Sequence, residues 1–388
     1  MKNKNLFYKI LLIVFIWRIG LLLLGGFADV FLDYLPSFPY YDSLLANYNL
    51  PRWLYSWANF DGVHYLTIVQ KGYIGTGLIQ AFFPLFPGVV KFLSYFVPNQ
   101  VIAGFLVSHI SLGLLLWGWY SLLRLQFASW GNKKILASIF GLLLFPTSFY
   151  LGAMYTESIF LALVIWFFVF LKQKRWWLAA VLVCLAAVTK VVGIILVISL
   201  GWSYIANYKK KIISNKKYLV QLLGMLMISS IGLLGFMLFL YGEFKDPLYF
   251  LHVQSEFGAG RQESLVMLPQ VVWRYIKILI TARPFDLKYF SYVQDLVLSA
   301  ISGLLILYGW RTKIDKNILV FSILALLLPT LTGTLSSMPR YILAAPGVLL
   351  ALSYWINSSD KRLYFSLAVS TILLILNTLL FIQGYWVA

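Results

Sequence analysis

The sequence predicts an all-α polytopic membrane protein with about eleven transmembrane helices and a long first outer loop. Hydrophobic residues make up 61% of the 388 residues and charged ones 11%, and the mean hydropathy is +0.84. Soluble domains carry about 25% charged residues. Apolar runs long enough to cross a bilayer recur along the chain, and they are continuous rather than alternating, which excludes a β-barrel. No internal repeat or soluble domain is evident, so residues 1–388 are predicted to form one transmembrane domain.

The first predicted span covers about residues 10–27 and follows Lys2, Lys4 and Lys9. This run is long and no A-x-A cleavage site follows it, so we interpret it as a retained helix rather than a signal peptide. Arg18 lies inside it and is expected to face protein or a water-filled cavity. The later predicted spans cover residues 101–123, 134–152, 156–172, 176–189, 191–207, 218–241, 290–310, 318–335, 340–356 and 363–383. The 176–207 region could be a hairpin of two tilted or broken helices.

The net charge of +18 could suggest a nucleic-acid partner, but the positions of the charges argue against one. Most Lys and Arg side chains fall at the predicted inner ends, where only Asp315 and Asp360 of the 13 acidic residues lie. This asymmetry follows the positive-inside rule, with the N-terminus in the cytoplasm. Orientation and anionic lipid explain the basic charge, so membrane lipids are expected partners and nucleic acid is not. The short termini suggest a microbial plasma membrane.

Two long loops are predicted on the outer side, at residues 28–100 and 242–289. In the first, residues 49–70 are rich in Trp and Tyr, which predicts a helix lying in the membrane interface. Residues 82–96 are apolar but contain Pro84 and Pro87, and we expect them to be re-entrant or interfacial. If this segment fully crossed, every later loop would change sides and the charge asymmetry would be lost. The second loop includes an amphipathic piece near residues 269–280.

Four positions on the outer side could carry chemistry, namely Asp61, Glu157, Lys190 and Arg340. His64 follows Asp61 by three residues, so the two share a face if the segment is helical. Lys and Arg bind phosphate, and an acid can take a proton from a hydroxyl group. The pattern therefore suits a substrate that carries a phosphate on a lipid.

Each of these residues also has a structural interpretation, and spacing alone leaves both open. Asp61 could be an N-cap of the interfacial helix, and Glu157 a solvated acid favoured by a helix N-terminus. Lys190 could extend to the outer head groups, and Arg340 could be an ordinary outer anchor. His64 could be purely structural.

Metal and nucleotide motifs are not evident in the sequence. Cys184 is the only cysteine, which excludes a disulfide framework and a thiolate metal cluster. No His, Cys and Asp cluster has metal-ligand spacing, and no P-loop, dinucleotide fingerprint or G-x-S-x-G motif occurs. We therefore expect no cofactor and no metal requirement.

Several short blocks resemble the PIG-V family, the transferases that add the second mannose in GPI anchor synthesis. The F-F-P-L-F-P and Y-T-E-S blocks are fairly specific, and the similarity is spread over most of the chain. The blocks are Phe60-Asp61-Gly62-Val63-His64-Tyr65, Lys71-Gly72-Tyr73, Ala81-Phe82-Phe83-Pro84-Leu85-Phe86-Pro87, Tyr155-Thr156-Glu157-Ser158-Ile159-Phe160, Asp246-Pro247-Leu248 with Gln254, and Arg340-Tyr341. Two positions depart from the family pattern: Phe60 replaces the usual Trp, and Lys190 stands where Arg is frequent.

The resemblance implies a GT-C membrane glycosyltransferase with its active site on the first outer loop. Such enzymes use a polyprenyl-phosphate sugar, usually mannose, as donor, and here the acceptor would be a hydroxyl of a glycolipid or lipid-linked glycan. Asp61 would be the catalytic base of an inverting displacement. The residues assigned to substrate binding are His64, Tyr65, Glu157, Lys190, Gln254, Arg340 and Tyr341, with Lys190 and Arg340 on the donor phosphate.

Two other classes of function fit parts of the sequence. A lipid-linked-sugar flippase or transporter without chemistry is compatible with broken helices and with Arg18 inside a span. A transporter should place its ionisable groups near the bilayer midplane, whereas most acids here are predicted at the outer interface. A weaker alternative is a non-catalytic subunit that supports a transferase.

Overall fold

The structure, a computed structural model, describes residues 2–38, 41–73, 78–257, 260–262, 264–284 and 287–387. These residues form helices and no strand, which confirms the all-α prediction for this part of the chain. The α-helices, α1 to α17 in chain order, are Lys2–Gly26, Arg52–Tyr55, Asp61–Lys71, Leu85–Ser94, Gln100–Gln126, Asn132–Leu143, Glu157–Lys172, Trp176–Ala187, Leu196–Ser214, Lys216–Phe244, Tyr249–His252, Leu268–Thr281, Leu287–Trp310, Lys316–Thr330, Met338–Leu343, Pro346–Ile356 and Asp360–Ile382.

Six helical segments in the described chain are long and apolar enough to cross a membrane. They are Tyr8–Val30, Gln100–Gln126, Val191–Ser214, Lys216–Phe244, Leu287–Trp310 and Asp360–Ile382. The helices α4, α8, α14 and α16 are shorter but also apolar. This composition indicates an integral membrane protein.

Two predicted spans are interrupted rather than continuous. Residues 134–152 do not form one helix, because α6 ends before Pro146 and a 3-10 turn, Ser148–Leu151, follows. Residues 340–356 divide into α15 and α16 just before Pro346. A proline disfavours helical backbone at the residue before it and lacks the N–H that a helix interior needs. The second interruption directly follows the helix of Arg340, and the first is tied to the same helix because the Thr147 hydroxyl donates to the Pro339 carbonyl at 2.7 Å.

The segment 49–70 also differs from its prediction as a single helix. It forms α2 and α3, separated by a 3-10 turn, Ser56–Ala58, and by Phe60 with a φ of 57°. The helix α4 has 10 residues and is therefore about 15 Å long, half the thickness of a bilayer core. The Leu85 N–H at its start donates to the Val188 carbonyl at 2.9 Å, which fixes α4 beside the end of α8.

The first loop packs on the chain's last helix. The backbone N–H groups of Leu35 and Ser37 donate to the carbonyls of Gln383 at 2.9 Å and of Gly384 at 3.0 Å. Gly384 has a φ of 83°, and a Cβ there would lie 2.7 Å from the Pro36 Cα. A glycine is therefore required where the loop passes. This contact places the first loop at the C-terminal end of α17.

The helix α7 is almost wholly buried between its neighbours. Its Phe160, Phe167 and Phe168 side chains have at most 1% exposure. Gly118 of α5 allows a close approach, since a Cβ there would lie 2.9 Å from the Trp166 Nε1 atom. The buried helix begins at Glu157, so this acid is held by the best-packed part of the fold.

Candidate active site

Four charged side chains from distant parts of the chain meet in one cluster. Arg340 donates from Nη1 to Asp61 Oδ2 at 2.6 Å and from Nε to Glu157 Oε1 at 2.5 Å. Lys190 donates from Nζ to the same Glu157 oxygen at 2.7 Å. The structure therefore brings together all four positions that the sequence indicated. We call Asp61, Glu157, Lys190 and Arg340 the charge cluster.

A network of hydrogen bonds positions the backbone at Asp61. The Asn59 side-chain amide donates to the Phe381 carbonyl at 2.9 Å, which ties this segment to the end of α17. The Tyr155 hydroxyl donates to the Asn59 carbonyl at 2.8 Å and accepts the Asp61 N–H at 3.1 Å. The turn at Phe60, with φ 57° and ψ −115°, is an uncommon conformation for a non-glycine residue. The chain is therefore bent sharply just before the acid.

The N-cap interpretation of Asp61 is wrong. Phe60 is the N-cap residue of α3, and Asp61 is the first helical residue. The Asp61 carboxylate reaches Arg340 across the fold. Its side chain keeps 18% exposure, so the carboxylate is held by a cation yet reachable from outside the protein.

Glu157 is the first residue of α7, where the helix dipole favours an acid. It is not a solvated helix-start acid, however, because its side chain is only 2% exposed. Its Oε2 atom is buried without a hydrogen-bond partner in the described part of the chain. A buried carboxylate is costly unless cations pair with it, and two cations share its other oxygen. Glu157 therefore holds Lys190 and Arg340 together.

Arg340 lies in the six-residue helix α15 and is 9% exposed, so it is not an ordinary outer anchor. The Thr147 hydroxyl donates to the Pro339 carbonyl at 2.7 Å and fixes this short helix against the break after α6. The guanidinium carbon lies 4.7 Å from the Tyr155 ring centroid and 5.1 Å from that of Tyr150. These aromatic faces favour a cation at this place.

Lys190 follows the end of α8 and does not extend to lipid head groups. Its N–H donates to the Ala186 carbonyl at 3.0 Å, and its ammonium group is turned inward onto Glu157. A Cβ at Gly193 would lie only 2.3 Å from the Ala186 backbone. The turn that carries Lys190 therefore depends on a glycine three residues later.

His64 and two phenylalanines form an aromatic wall near Asp61. The imidazole stacks on Phe82 with 4.9 Å between ring centroids, and Phe257 meets it edge-on at 6.3 Å. Burial lowers the pKa of His64, and the Asp61 carboxylate only partly opposes this effect. His64 is therefore neutral at pH 7 and offers an aromatic face and a polar ring nitrogen. Its role in substrate binding stays a prediction.

Tyr65 is buried in the protein rather than exposed at the site. Its side chain is 3% exposed, and its hydroxyl donates to the Thr156 hydroxyl at 3.3 Å. The ring packs edge-on against Phe82 and Phe86. Tyr65 thus joins α3 to the residue before Glu157, and a direct substrate contact for it stays a prediction.

Gln254 and Tyr341 meet at a residue that the sequence did not single out. Arg261 donates from Nη1 to Gln254 Oε1 at 3.3 Å and from Nη2 to the Tyr341 hydroxyl at 3.4 Å. Tyr341 directly follows Arg340, so Arg261 joins the second loop to the helix that carries Arg340. Nothing in the sequence distinguished Arg261 from the other five Lys and Arg residues of the predicted loop 242–289.

The Asp246 block forms a separate contact in the second loop. Asp246 Oδ2 and His252 Nδ1 are 2.6 Å apart, and Asp246 Oδ1 accepts the Leu248 N–H at 2.9 Å. Partial burial works against ionisation here, but these two hydrogen bonds outweigh it and lower the pKa of Asp246. The block therefore stabilises its own turn.

Arg18 faces protein, as the sequence predicted. Its guanidinium carbon lies 4.0 Å from the Trp57 ring centroid, and a Cβ at Gly152 would be 3.1 Å from its Nη1 atom. Trp57 precedes Asp61 by four residues and Gly152 precedes Glu157 by five. Arg18 therefore supports both segments that lead into the charge cluster.

The described residues contain no group of three or more His, Cys, Asp or Glu side chains that could hold a metal ion. What they offer chemically is a partly exposed carboxylate beside buried cations. No family model and no curated protein matches the chain. The resemblance to the PIG-V family rests on the short motif blocks.

Proposed function

We propose that the protein is a GT-C type membrane glycosyltransferase that moves a mannosyl or related hexosyl unit from a polyprenyl phosphate to a hydroxyl of a glycolipid or lipid-linked glycan. One observation carries the proposal. The charge cluster unites residues from four motif positions that resemble the PIG-V family, although Asp61 and Arg340 are 279 positions apart. Structural ion pairs also cluster in folds, but they have no reason to coincide with these motifs.

In the proposed reaction, the acceptor oxygen forms a bond to the anomeric carbon of the donor sugar. The bond between that carbon and the phosphate oxygen breaks, and the polyprenyl phosphate leaves with the electron pair. Asp61 takes the hydroxyl proton as the new bond forms. Arg340 holds one oxygen of this carboxylate, which leaves the other for the proton. A phosphate needs no acid to leave, so one displacement with inversion is sufficient.

The proposal gives Glu157 and Lys190 a supporting role. Both hold Arg340 in place, and Arg340 in turn holds the Asp61 carboxylate. The proposed base, at the start of α3, is therefore kept in one geometry. Rigid positioning of a reacting group contributes to catalysis because little reorganisation is left for the reaction itself. His64 and Phe257 would line the place where sugar or acceptor lies.

The proposal also includes an orientation. With about eleven crossings, the N-terminus would lie in the cytoplasm and the charge cluster on the outer side, in agreement with the placement of the basic residues. A microbial plasma membrane is the expected location. The donor reaches such a site from the membrane, and no nucleic-acid partner is involved.

The transporter alternative receives less support. A transporter holds its ionisable groups near the bilayer midplane. Glu157 instead begins a helix, Lys190 follows the end of one, and Arg340 lies in a six-residue helix. Arg18, inside α1, and Asp295, buried inside α13, are exceptions, and both make contacts within the protein.

The purified protein in detergent tests the proposal. It would be incubated with polyprenyl-phosphate mannose carrying a labelled sugar and with membrane lipid extract as acceptor. We expect a labelled glycolipid by mass spectrometry, formed equally well with a metal chelator. The proposal fails if no lipid acquires label while the same protein in liposomes moves the donor between leaflets.

A further inference from the structure

The donor of the proposed reaction carries a phosphate, and the charge cluster offers it no spare positive charge. Two carboxylates, Asp61 and Glu157, are paired with two cations, Lys190 and Arg340. The cluster is therefore neutral when all four groups are ionised. A phosphate placed beside it gains little unless another cation lies nearby. The expectation that Lys190 and Arg340 bind the phosphate is incomplete for this reason.

Arg261 is a cation that contacts the residue after Arg340 and takes no part in the ion pairs of the charge cluster. Its guanidinium contacts Gln254 and Tyr341, which are both neutral, and it lies 5.4 Å from the Phe257 ring centroid. It forms no ion pair with a carboxylate among the described residues. Both hydrogen bonds are long, at 3.3 and 3.4 Å, where 2.9 to 3.0 Å is usual. Arg261 is therefore held in place by weak contacts that a phosphate could replace.

The neighbours of Arg261 link it to the reaction site on two sides. Tyr341 directly follows Arg340, and Phe257 contacts the ring of His64 at 6.3 Å. The Tyr341 hydroxyl accepts from Arg261, so its own proton is free to be donated to an oxyanion. A guanidinium presents its donors as a fork that matches two phosphate oxygens.

We propose that Arg261, together with the Tyr341 hydroxyl, binds the phosphate of the polyprenyl-phosphate donor. This inference rests on the proposed function and names a ligand of the same site. On departure, the leaving phosphate gains negative charge, so this cation stabilises the product side of the displacement as well as the donor. The second loop thereby contributes one binding group, and the first loop contributes the base.

Arg274 provides a matched comparison in the same loop. Its Nη1 donates to the Gly333 carbonyl at 3.1 Å and its Nη2 to Gln262 at 3.3 Å. A Cβ at Gly333 would lie 2.8 Å from this guanidinium, so Arg274 is enclosed by backbone. It fastens α12 to the turn before α15 and has no contact with Tyr341 among the described residues. Its loss should affect loop packing but not phosphate recognition.

The test uses the full-length protein in nanodiscs with two probes, a polyprenyl phosphate and the corresponding neutral polyprenol. We expect the wild type to bind the phosphate form much more tightly. Arg261→Gln should weaken polyprenyl phosphate binding about 10- to 100-fold and leave polyprenol binding unchanged. Arg261→Lys should restore part of the affinity, and Arg274→Gln should preserve the preference for phosphate.

Two results would overturn this inference while the proposed function stands. One is wild-type phosphate affinity in Arg261→Gln, and the other is an equal loss for both probes, which would make Arg261 a loop-ordering residue. Failure of the wild type itself to transfer sugar or to prefer the phosphate form would overturn both proposals. Normal sugar transfer by the wild type with an unaffected Arg261→Gln variant would overturn this one alone.

Discussion

Asp61 combines two properties that its proposed role as a catalytic base requires. One of its oxygens is fixed by Arg340 at 2.6 Å, and its side chain keeps 18% exposure. Asn has nearly the same shape and can still accept from the guanidinium, but it cannot take a proton. We expect Asp61→Asn to lower kcat about 10²- to 10⁴-fold, measured as mannose transfer in detergent, with donor binding nearly unchanged.

The matched control for Asp61→Asn is Asp33→Asn, in the same loop. Asp33 is exposed, and its substitution should leave the rate within about twofold. Asp29 is a poorer control because it is ion-paired with Arg52 and accepts a hydrogen bond from Gln383. Full activity in Asp61→Asn would remove the catalytic assignment. Loss of expression and of donor binding together would instead make Asp61 a structural residue.

Arg340 reaches two acids through different nitrogens, which a lysine cannot do. Arg340→Lys should therefore break the contact with either Asp61 or Glu157 and lower the transfer rate about tenfold or more. Arg52→Lys is the control, because its pair with Asp29 is largely exposed and exposed pairs contribute little. Equal activity of Arg340→Lys and wild type would show that bridging the two acids is unimportant.

His64 should make stability depend on pH. Burial lowers its pKa below the ordinary value of 6.5, so the unfolded chain binds a proton more readily than the folded one. The stability that the folded protein gains from keeping His64 neutral is fully present above pH 6.5. It is lost as the pH falls through the lower pKa of His64 in the folded state. Thermal unfolding in detergent should show a melting temperature that drops on acidification below pH 6.5. His64→Gln should reduce the drop, and an unchanged drop would contradict this assignment.

At the scale of elements, a single glycine governs the turn that carries Lys190. A Cβ at Gly193 would lie 2.3 Å from the Ala186 backbone, whereas Gly201 of α9 has open space around it. We expect Gly193→Ala to destabilise the protein by about 2 kcal/mol and to lower transfer, because the turn must move. Gly201→Ala should be neutral or slightly stabilising. Equal melting temperatures and rates for the two variants would contradict the close approach.

The sequence predicts the presence of helices better than their interruptions. Continuous apolar runs are enough to predict α5, α10 and α17, because burial in lipid requires only composition and length. The breaks before Pro146 and Pro346 fall inside apolar runs, so hydropathy hides them, although both prolines were visible. The bend at Phe60 has no local signal, since a non-glycine residue with positive φ is set by tertiary contacts such as that of Asn59 with Phe381.

The same distinction applies to the site. Asp61, Glu157, Lys190 and Arg340 could be selected one by one, from charge, position and motif. Their mutual pairing depends on how the ends of α3, α7, α8 and α15 pack together. The spacing of these residues in the sequence does not predict that packing. Arg261 was missed because its significance lies in the charge balance of the cluster, and that balance is visible only after the pairs are known.

At the scale of the whole molecule, distant segments converge on one end of the helical assembly. The first loop is hydrogen-bonded to the C-terminal end of α17, the second loop reaches Tyr341 through Arg261, and α4 begins beside the end of α8. The long helices therefore position the site, and the charged side chains of the cluster come from helix ends and loops. A site of this kind can exist only on one side of the membrane.

The orientation of that side is the last prediction. Most basic residues lie at the opposite ends of the predicted spans, including the lysines around Ser214. Ser43, in the first loop, and Ser214, at the end of α9, are both exposed. In a Cys184→Ala background, Ser43→Cys should react with an impermeant maleimide on intact cells. Ser214→Cys should react only after the cells are permeabilised, because its loop is expected in the cytoplasm. Reaction of both cysteines from the same side would contradict the topology and with it the placement of Asp61 outside the cytoplasm, whereas the reverse pattern would invert the whole molecule.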